Sequence, residues 1–133
     1  LGSRGLGDVY KRQVLTQLAE RAPLALVSNF YGNLPTVVEE MGIGSYFQTV
    51  VESAAEGIRK PDPRLFEIAL DRLGLQPQET MVVGDSLKND ILPAHSLGCA
   101  SAWLQGEGWN NDQHEPPAET HVITSLDQLL QLA

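Results

Sequence analysis

Met81-Val82-Val83-Gly84-Asp85-Ser86-Leu87-Lys88-Asn89-Asp90 is the stretch on which the fold turns: an apolar run closes on a glycine and then presents two carboxylates. A continuous apolar run ended by a turn residue suits a strand buried on both faces of a parallel sheet, and open α/β sheets place ligands at the carboxyl ends of such strands. Gly84 has no side chain, so the backbone can turn sharply and Asp85 can project into the crevice. Asp90 opens the segment Asp90-Ile91-Leu92-Pro93-Ala94-His95-Ser96-Leu97, which reads as a helix closed by Gly98. The amino end of a helix favours negative charge, so both acids are placed to stay ionised and to serve a hard cation such as Mg2+. A GD turn followed by a helix-capping aspartate has the same letters, and this stretch alone leaves both readings open.

On either side of it, helix and strand signals alternate, the pattern of a parallel sheet with crossover helices. Val14 to Arg21 carries Leu15, Leu18 and Ala22 at helical spacing before Pro23. Leu24-Ala25-Leu26-Val27 is a second buried-strand pattern and ends at Ser28-Asn29. Leu34, Val37, Val38 and Met41 then mark one face of a helix with Pro35 in its first turn and Gly42 after its last. Thr49-Val50-Val51-Glu52 is a weaker strand signal. Asp62-Pro63 reads as cap and first residue of a helix whose buried stripe is Leu65, Ile68, Ala69 and Leu73 and whose stop is Gly74. Downstream, Ala100 to Leu104 and His121 to Ile123 read as strands. The proline- and glycine-bearing segment from Gly106 to Glu119 separates them as a surface loop, and Ser125 with Gln128 forms a capping box for a last helix.

Composition excludes several function classes. The chain of 133 residues is 42% hydrophobic, enough for one domain with a real core, and its formal net charge of −8 repels phosphate backbones, so nucleic-acid binding through a basic patch is not expected. No apolar run approaches the length of a membrane span, and no membrane association is expected. The single cysteine, Cys99, rules out an internal disulfide framework and fits a reducing, cytoplasmic setting. His95, His114 and His121 have no ligand spacing, Lys88 reads as a solvated charge and Trp103 as a packed strand residue; Trp109 falls in the glycine loop with no assigned role.

The first residues stand apart. Ser3-Arg4-Gly5-Leu6-Gly7-Asp8-Val9-Tyr10-Lys11-Arg12-Gln13 lacks apolar periodicity and resembles the in-frame translation of a transposon-type adapter used in preparing sequencing libraries. On that resemblance residues 1–13 are expected to be a non-native leader and residues 14–133 a partial core domain.

Polar residues after three strand patterns are expected to converge, because parallel strands end on the same side. Ser28 follows the first, Asp85 follows the third, and Lys60 lies between them in the loop Gly57-Ile58-Arg59-Lys60-Pro61-Asp62-Pro63. A hydroxyl, an ammonium and a carboxylate able to hold a divalent cation together suit a phosphate site. Ser28-Asn29, the segment from Ser53 through Gly57 to Lys60-Pro61-Asp62-Pro63, and Gly84-Asp85-Ser86 with Asn89-Asp90-Ile91 resemble, in order and spacing, the second, third and fourth motifs of the haloacid dehalogenase superfamily of hydrolases. The resemblance runs from Val14 to the carboxyl terminus.

It implies a doubly wound α/β core and Mg2+-dependent hydrolysis of a small phosphorylated metabolite through an aspartyl phosphate. It also implies that Ser28 and Asn29 bind the phosphoryl group and that Lys60 holds it to the nucleophile. Asp85, with Ser86 as a lesser candidate, would take the metal, and Asp90 would support the site by bonding to Lys60 or to metal-bound water. The family's first motif, a D-x-D pair that supplies the nucleophile and the general acid and base, has no counterpart here, and the helical cap that reads substrate is absent too. In the family that motif ends a strand lying between those ending at Ser28 and Gly84. A sheet without its central strand and a chain without phosphatase activity are therefore expected, and a poorly folded one, since two strands lose a partner. Carbon-halogen hydrolysis and a noncatalytic phosphate-binding module of the same fold are the alternatives within the resemblance. A response-regulator receiver domain has a similar site but places its Lys-Pro step after, not before, the strand corresponding to Met81–Gly84.

Overall fold

The computed structural model describes residues 9–105 and 115–132, so Asp8, Trp109 and His114 lie outside the described residues. Five parallel strands alternate with helices: α1 (Val9–Arg21), β1 (Ala25–Ser28), α2 (Leu34–Glu40), β2 (Thr49–Glu52), α3 (Ser53–Glu56), α4 (Arg64–Leu73), β3 (Met81–Gly84), α5 (Leu92–Leu97), β4 (Ala100–Leu104), β5 (His121–Ile123) and α6 (Leu129–Leu132). The strands fall into two sheets, β1-β2 and β3-β4-β5, and no described strand lies between β1 and β3.

The stripes read from the sequence pack inward in part: Ala22 is exposed, Ile68 and Leu73 are half-buried, and Phe66 and Leu70 join Leu65 and Ala69 on the buried face of α4. Leu26 meets Leu34, Val38 and Ile43 under α2, while Val51 packs on Leu65 and Ala69 of α4. Phe66 and Leu70, from the same helix, reach across to Val82, Ala94 and Cys99 and join the two sheets through their side chains. Burial pushes the Cys99 thiol pKa up, as befits a core residue. His95 and His121 are on the surface, and Lys88 is exposed.

Between the sheets runs a cavity of about 160 Å³, lined along β1 by Ala25, Leu26 and Val27 and along β3 by Met81, Val82 and Val83. Side chains alternate between the faces of a strand, so consecutive residues line a space only when a strand presents its edge to it. The cavity is therefore a slot between two unpaired strand edges, where the sequence resemblance places the missing central strand.

Several boundaries differ from the sequence reading, β1 among them, since it runs Ala25–Ser28 and not Leu24–Val27. α1 begins at Val9, five residues before the apolar stripe, and Arg12 donates from Nη2 to Met41 O at the end of α2 (2.6 Å). Extending an existing helix is easy compared with starting one, so residues without a stripe of their own are recruited. Asp90 is not the first residue of α5, because a π-turn over Leu87–Ile91 precedes it. Asp62 sits one position before the assigned cap, Pro63, yet its Oδ1 accepts the Arg64 N–H at 3.0 Å, so the capping chemistry expected of it is present. The Ser125–Gln128 capping box forms as read.

Candidate active site

The carboxyl ends of β1 and β3 meet at Lys60. Its Nζ donates to Asp90 Oδ1 at 2.6 Å and to Val27 O at 3.2 Å, and lies 5.7 Å from the centre of the Phe66 ring. The pair is nearly closed to solvent, with side-chain exposures of 11% for Lys60 and 8% for Asp90. At that depth the charges hold each other, because removing either leaves an unpaired buried ion.

The backbone of Lys60 is fixed as firmly as its side chain. Asn29 Nδ2 donates to Lys60 O (3.0 Å) while Lys60 N donates to Asn29 Oδ1 (2.7 Å), so a residue at the end of β1 clamps a loop thirty-one positions away in the chain. Both polar ends of the Asn29 amide are thereby engaged with Lys60. The phosphate contact that the resemblance implies for Asn29 has to be made beside this clamp. The Lys60–Pro61 peptide is cis.

Asp90 is held from the other side by its own π-turn: Ser86 N donates to its Oδ2 at 3.3 Å, and Ser86 Oγ accepts from Asn89 N at 3.0 Å. Of the two arrangements open to Asp90, it takes the bond to Lys60. Gly84 is required by the same packing, since a Cβ there would fall on the Asp90 carboxylate. Asp85 O accepts the Trp103 indole N–H at 3.2 Å, which fixes the backbone at the tip of β3. The Asp85 carboxylate and the Ser28 hydroxyl have no hydrogen-bond partner among the described residues, and both residues are half-buried. The register partner of Ser28 is Glu52, buried, with Oε2 lacking a partner. Its only sequence signal is an acid at the end of an apolar strand.

The structure thus gathers Asn29, Lys60, Asp90 and Ser86 into one hydrogen-bonded chain, with Ser28 and Asp85 at its two ends. Two of these side chains remain available, a neutral donor and a hard anionic oxygen ligand. No group of three or more potential metal-ligating side chains is assembled among the described residues. Asp85 fits Mg2+ by oxygen chemistry as one ligand of a set, Asp90 being committed to Lys60 and to the Ser86 N–H.

The comparisons with known proteins bear on the family of the chain. A family profile described as haloacid dehalogenase-like hydrolase matches residues 9–98. Pyrimidine 5′-nucleotidase YjjG of Escherichia coli (strain K12) is 31% identical over 121 residues, 90% of this chain and 53% of that protein. Phosphoglycolate phosphatase of Vibrio vulnificus (strain YJ016) is 38% identical over 109 residues, 80% of this chain and 47% of that protein. Among solved structures, a HAD phosphatase from Thermococcus onnurineus superposes with a TM-score of 0.77 at 25% identity, covering 90% of this chain and 54% of its own. The chain spans about half the length of the relatives it matches. On the profile match and these relatives, the chain belongs to the haloacid dehalogenase-like hydrolases.

Proposed function

We propose that this chain carries the phosphate- and magnesium-binding half of a phosphatase acting on a small phosphorylated metabolite, and that it is inactive until a strand bearing the nucleophile occupies the slot between β1 and β3. The observation that carries the reading is Lys60. Its ammonium is held by Val27 O and Asp90, both of which line the slot, and Ser28 and Asp85, whose side chains have no hydrogen-bond partner among the described residues, stand at the carboxyl ends of β1 and β3.

In this reading Ser28 donates to a nonbridging phosphoryl oxygen, and Lys60 offsets the charge of the phosphate and of the incoming carboxylate. Asn29 and Asp90 position Lys60. Asp85 would hold Mg2+ through its carboxylate, with Ser86 adjacent to it in the chain. When bound, the cation neutralises charge on the transferring group. The inserted strand supplies a carboxylate that displaces the alcohol from phosphorus; a second acid protonates the departing oxygen, and water then cleaves the acyl phosphate.

The names of two relatives, a pyrimidine nucleotidase and a phosphoglycolate phosphatase, support phosphate monoesters as the proposed substrate class. No helix among the described residues is long and apolar enough to cross a membrane, and a cytoplasmic setting suits such substrates and the buried thiol of Cys99.

Calorimetric titration of the chain with inorganic phosphate and Mg2+ tests the reading. Lys60→Met in an Asp90→Leu background, which leaves no unpaired buried charge, is expected to weaken phosphate binding at least about tenfold, the scale of a lost charge-assisted contact. Asp85→Asn should abolish its dependence on Mg2+. Phosphate binding that neither substitution changes refutes the site. Turnover of a generic aryl phosphate by the isolated chain, abolished by Asp85→Ala with the fold intact, refutes the inactivity.

A further inference from the structure

Beside the phosphate site lies a second cavity, about 360 Å³, bounded by Asn29, Phe30 and Tyr31 after β1 and by Ser53, Ile58 and Arg59 after β2. Asn29 and Arg59 are the chain neighbours of Ser28 and Lys60, so this cavity is built on the same two chain segments as the candidate phosphate site.

Its wall is an aromatic platform. The rings of Phe30 and Tyr31 are stacked, with centroids 4.6 Å apart and planes at 14°. Phe30 packs against the α2 core, and its backbone is braced in both directions by Ser53 Oγ, which donates to Phe30 O and accepts from Phe30 N at 3.0 Å each. Tyr31 lies on that anchored ring with 90% of its surface in solvent. A large aromatic left open on a rigid support has its other face free for a partner ring. Arg59 is the charged residue lining the cavity; it is exposed, and its guanidinium has no partner among the described residues. A planar fork of donors beside an aromatic face recognises the carbonyl and ring-nitrogen acceptors of a heterocycle.

We infer that this cavity is the leaving-group subsite and that it selects phosphate monoesters carrying a planar heterocycle, such as nucleoside monophosphates, with Tyr31 stacking on the ring and Arg59 bonding its acceptors. The inference rests on the phosphate reading above only in placing the phosphate at Ser28 and Lys60.

Amide chemical shifts of the chain in Mg2+, recorded on adding adenosine 5′-monophosphate, ribose 5-phosphate, adenosine or inorganic phosphate, provide the test. Adenosine 5′-monophosphate is expected to bind about tenfold more tightly than ribose 5-phosphate, the scale of one base stacked on an aromatic. Shifts should centre on Tyr31 and Arg59. Tyr31→Ala should erase that advantage, Tyr31→Trp should restore it, and neither should alter the affinity for inorganic phosphate. Arg59→Ala should weaken adenosine 5′-monophosphate severalfold. Equal affinity for the two sugar phosphates, or an advantage that survives Tyr31→Ala, overturns the inference. If inorganic phosphate fails to bind while adenosine still moves Tyr31, the phosphate reading falls and the subsite stands.

Discussion

The Lys60–Asp90 pair decides both stability and chemistry at the site. A buried pair broken on one side costs about 3–5 kcal/mol, whereas replacing both partners by apolar residues is often neutral. A domain has roughly 5–15 kcal/mol in total, so Asp90→Ala should leave little folded protein, while the double variant Lys60→Met/Asp90→Leu should recover most of the denaturation midpoint and still not bind phosphate. Two variants with the same binding defect and opposite stabilities would separate the ion pair's structural role from its chemical one. Equal destabilisation by both would show that the pair's charges do not matter. Gly84→Ala should cost about 1–3 kcal/mol by overpacking onto the Asp90 carboxylate, read in the same denaturation experiment. Ser28 and Asp85 could be nominated from the sequence by residue type and a place after an apolar run, and Lys60 by its charge in the loop between the second and third strand signals. The Asn29 clamp on Lys60 and the Trp103 bond to Asp85 O could not be, since each is set by a partner remote in sequence.

At the scale of elements, the turn that follows Lys60 is organised by Asp62 and Arg64. The Arg64 guanidinium, and then its backbone N–H, hold the Asp62 carboxyl below the usual aspartate range, and Asp62 in turn raises Arg64. A group whose pKa is depressed by folding stabilises the fold at pH above its unfolded value and loses that contribution as the pH falls through the folded one. The start of α4 should therefore loosen only below about pH 4. A carboxyl-carbon titration should find Asp62 low in the parent chain and returned towards the ordinary aspartate value in Arg64→Ala; an unchanged titration would show that the pairing is not made in solution. The strands Thr49–Glu52, Met81–Gly84, Ala100–Leu104 and His121–Ile123 were legible to the residue, because short apolar runs between turn residues have few alternatives. The π-turn at Leu87–Ile91 left no such mark. It arises from Asp90 reaching both Lys60 and the Ser86 N–H, a tertiary demand that no local pattern contains. The start of α1 at Val9 escaped for the opposite reason, since propagation of a helix needs no stripe at all.

For the whole molecule the slot between the two sheets is the dominant feature. β1 and β3 each offer an unpaired row of backbone donors and acceptors to an apolar cavity, and among the described residues the α4 side chains, Lys60 and α1, through Arg12 on Met41, bridge the gap. Such edges are pairing templates, and the slot has one geometry for a guest: extended, parallel to both strands, with its carboxyl end at Lys60. A synthetic peptide of apolar β-branched residues ending in an Asp-x-Asp sequence should therefore bind. A ligand of the native state raises stability by RT ln(1 + [L]/Kd), about 2.7 kcal/mol at a hundredfold excess over Kd, so the unfolding temperature should climb with peptide concentration. Hydrogen exchange at Val27 and Val83 should slow on binding, since edge amides without a partner exchange from the native state. The same peptide with its residues permuted should do neither, because register puts its apolar side chains on the wrong faces. Mg2+-dependent hydrolysis of an aryl phosphate appearing only with the intact peptide would place the nucleophile where Lys60, Ser28 and Asp85 await it. Protection of Val27 and Val83 in the chain alone, unchanged by peptide, would mean that the two edges have closed on each other and that the slot admits no strand.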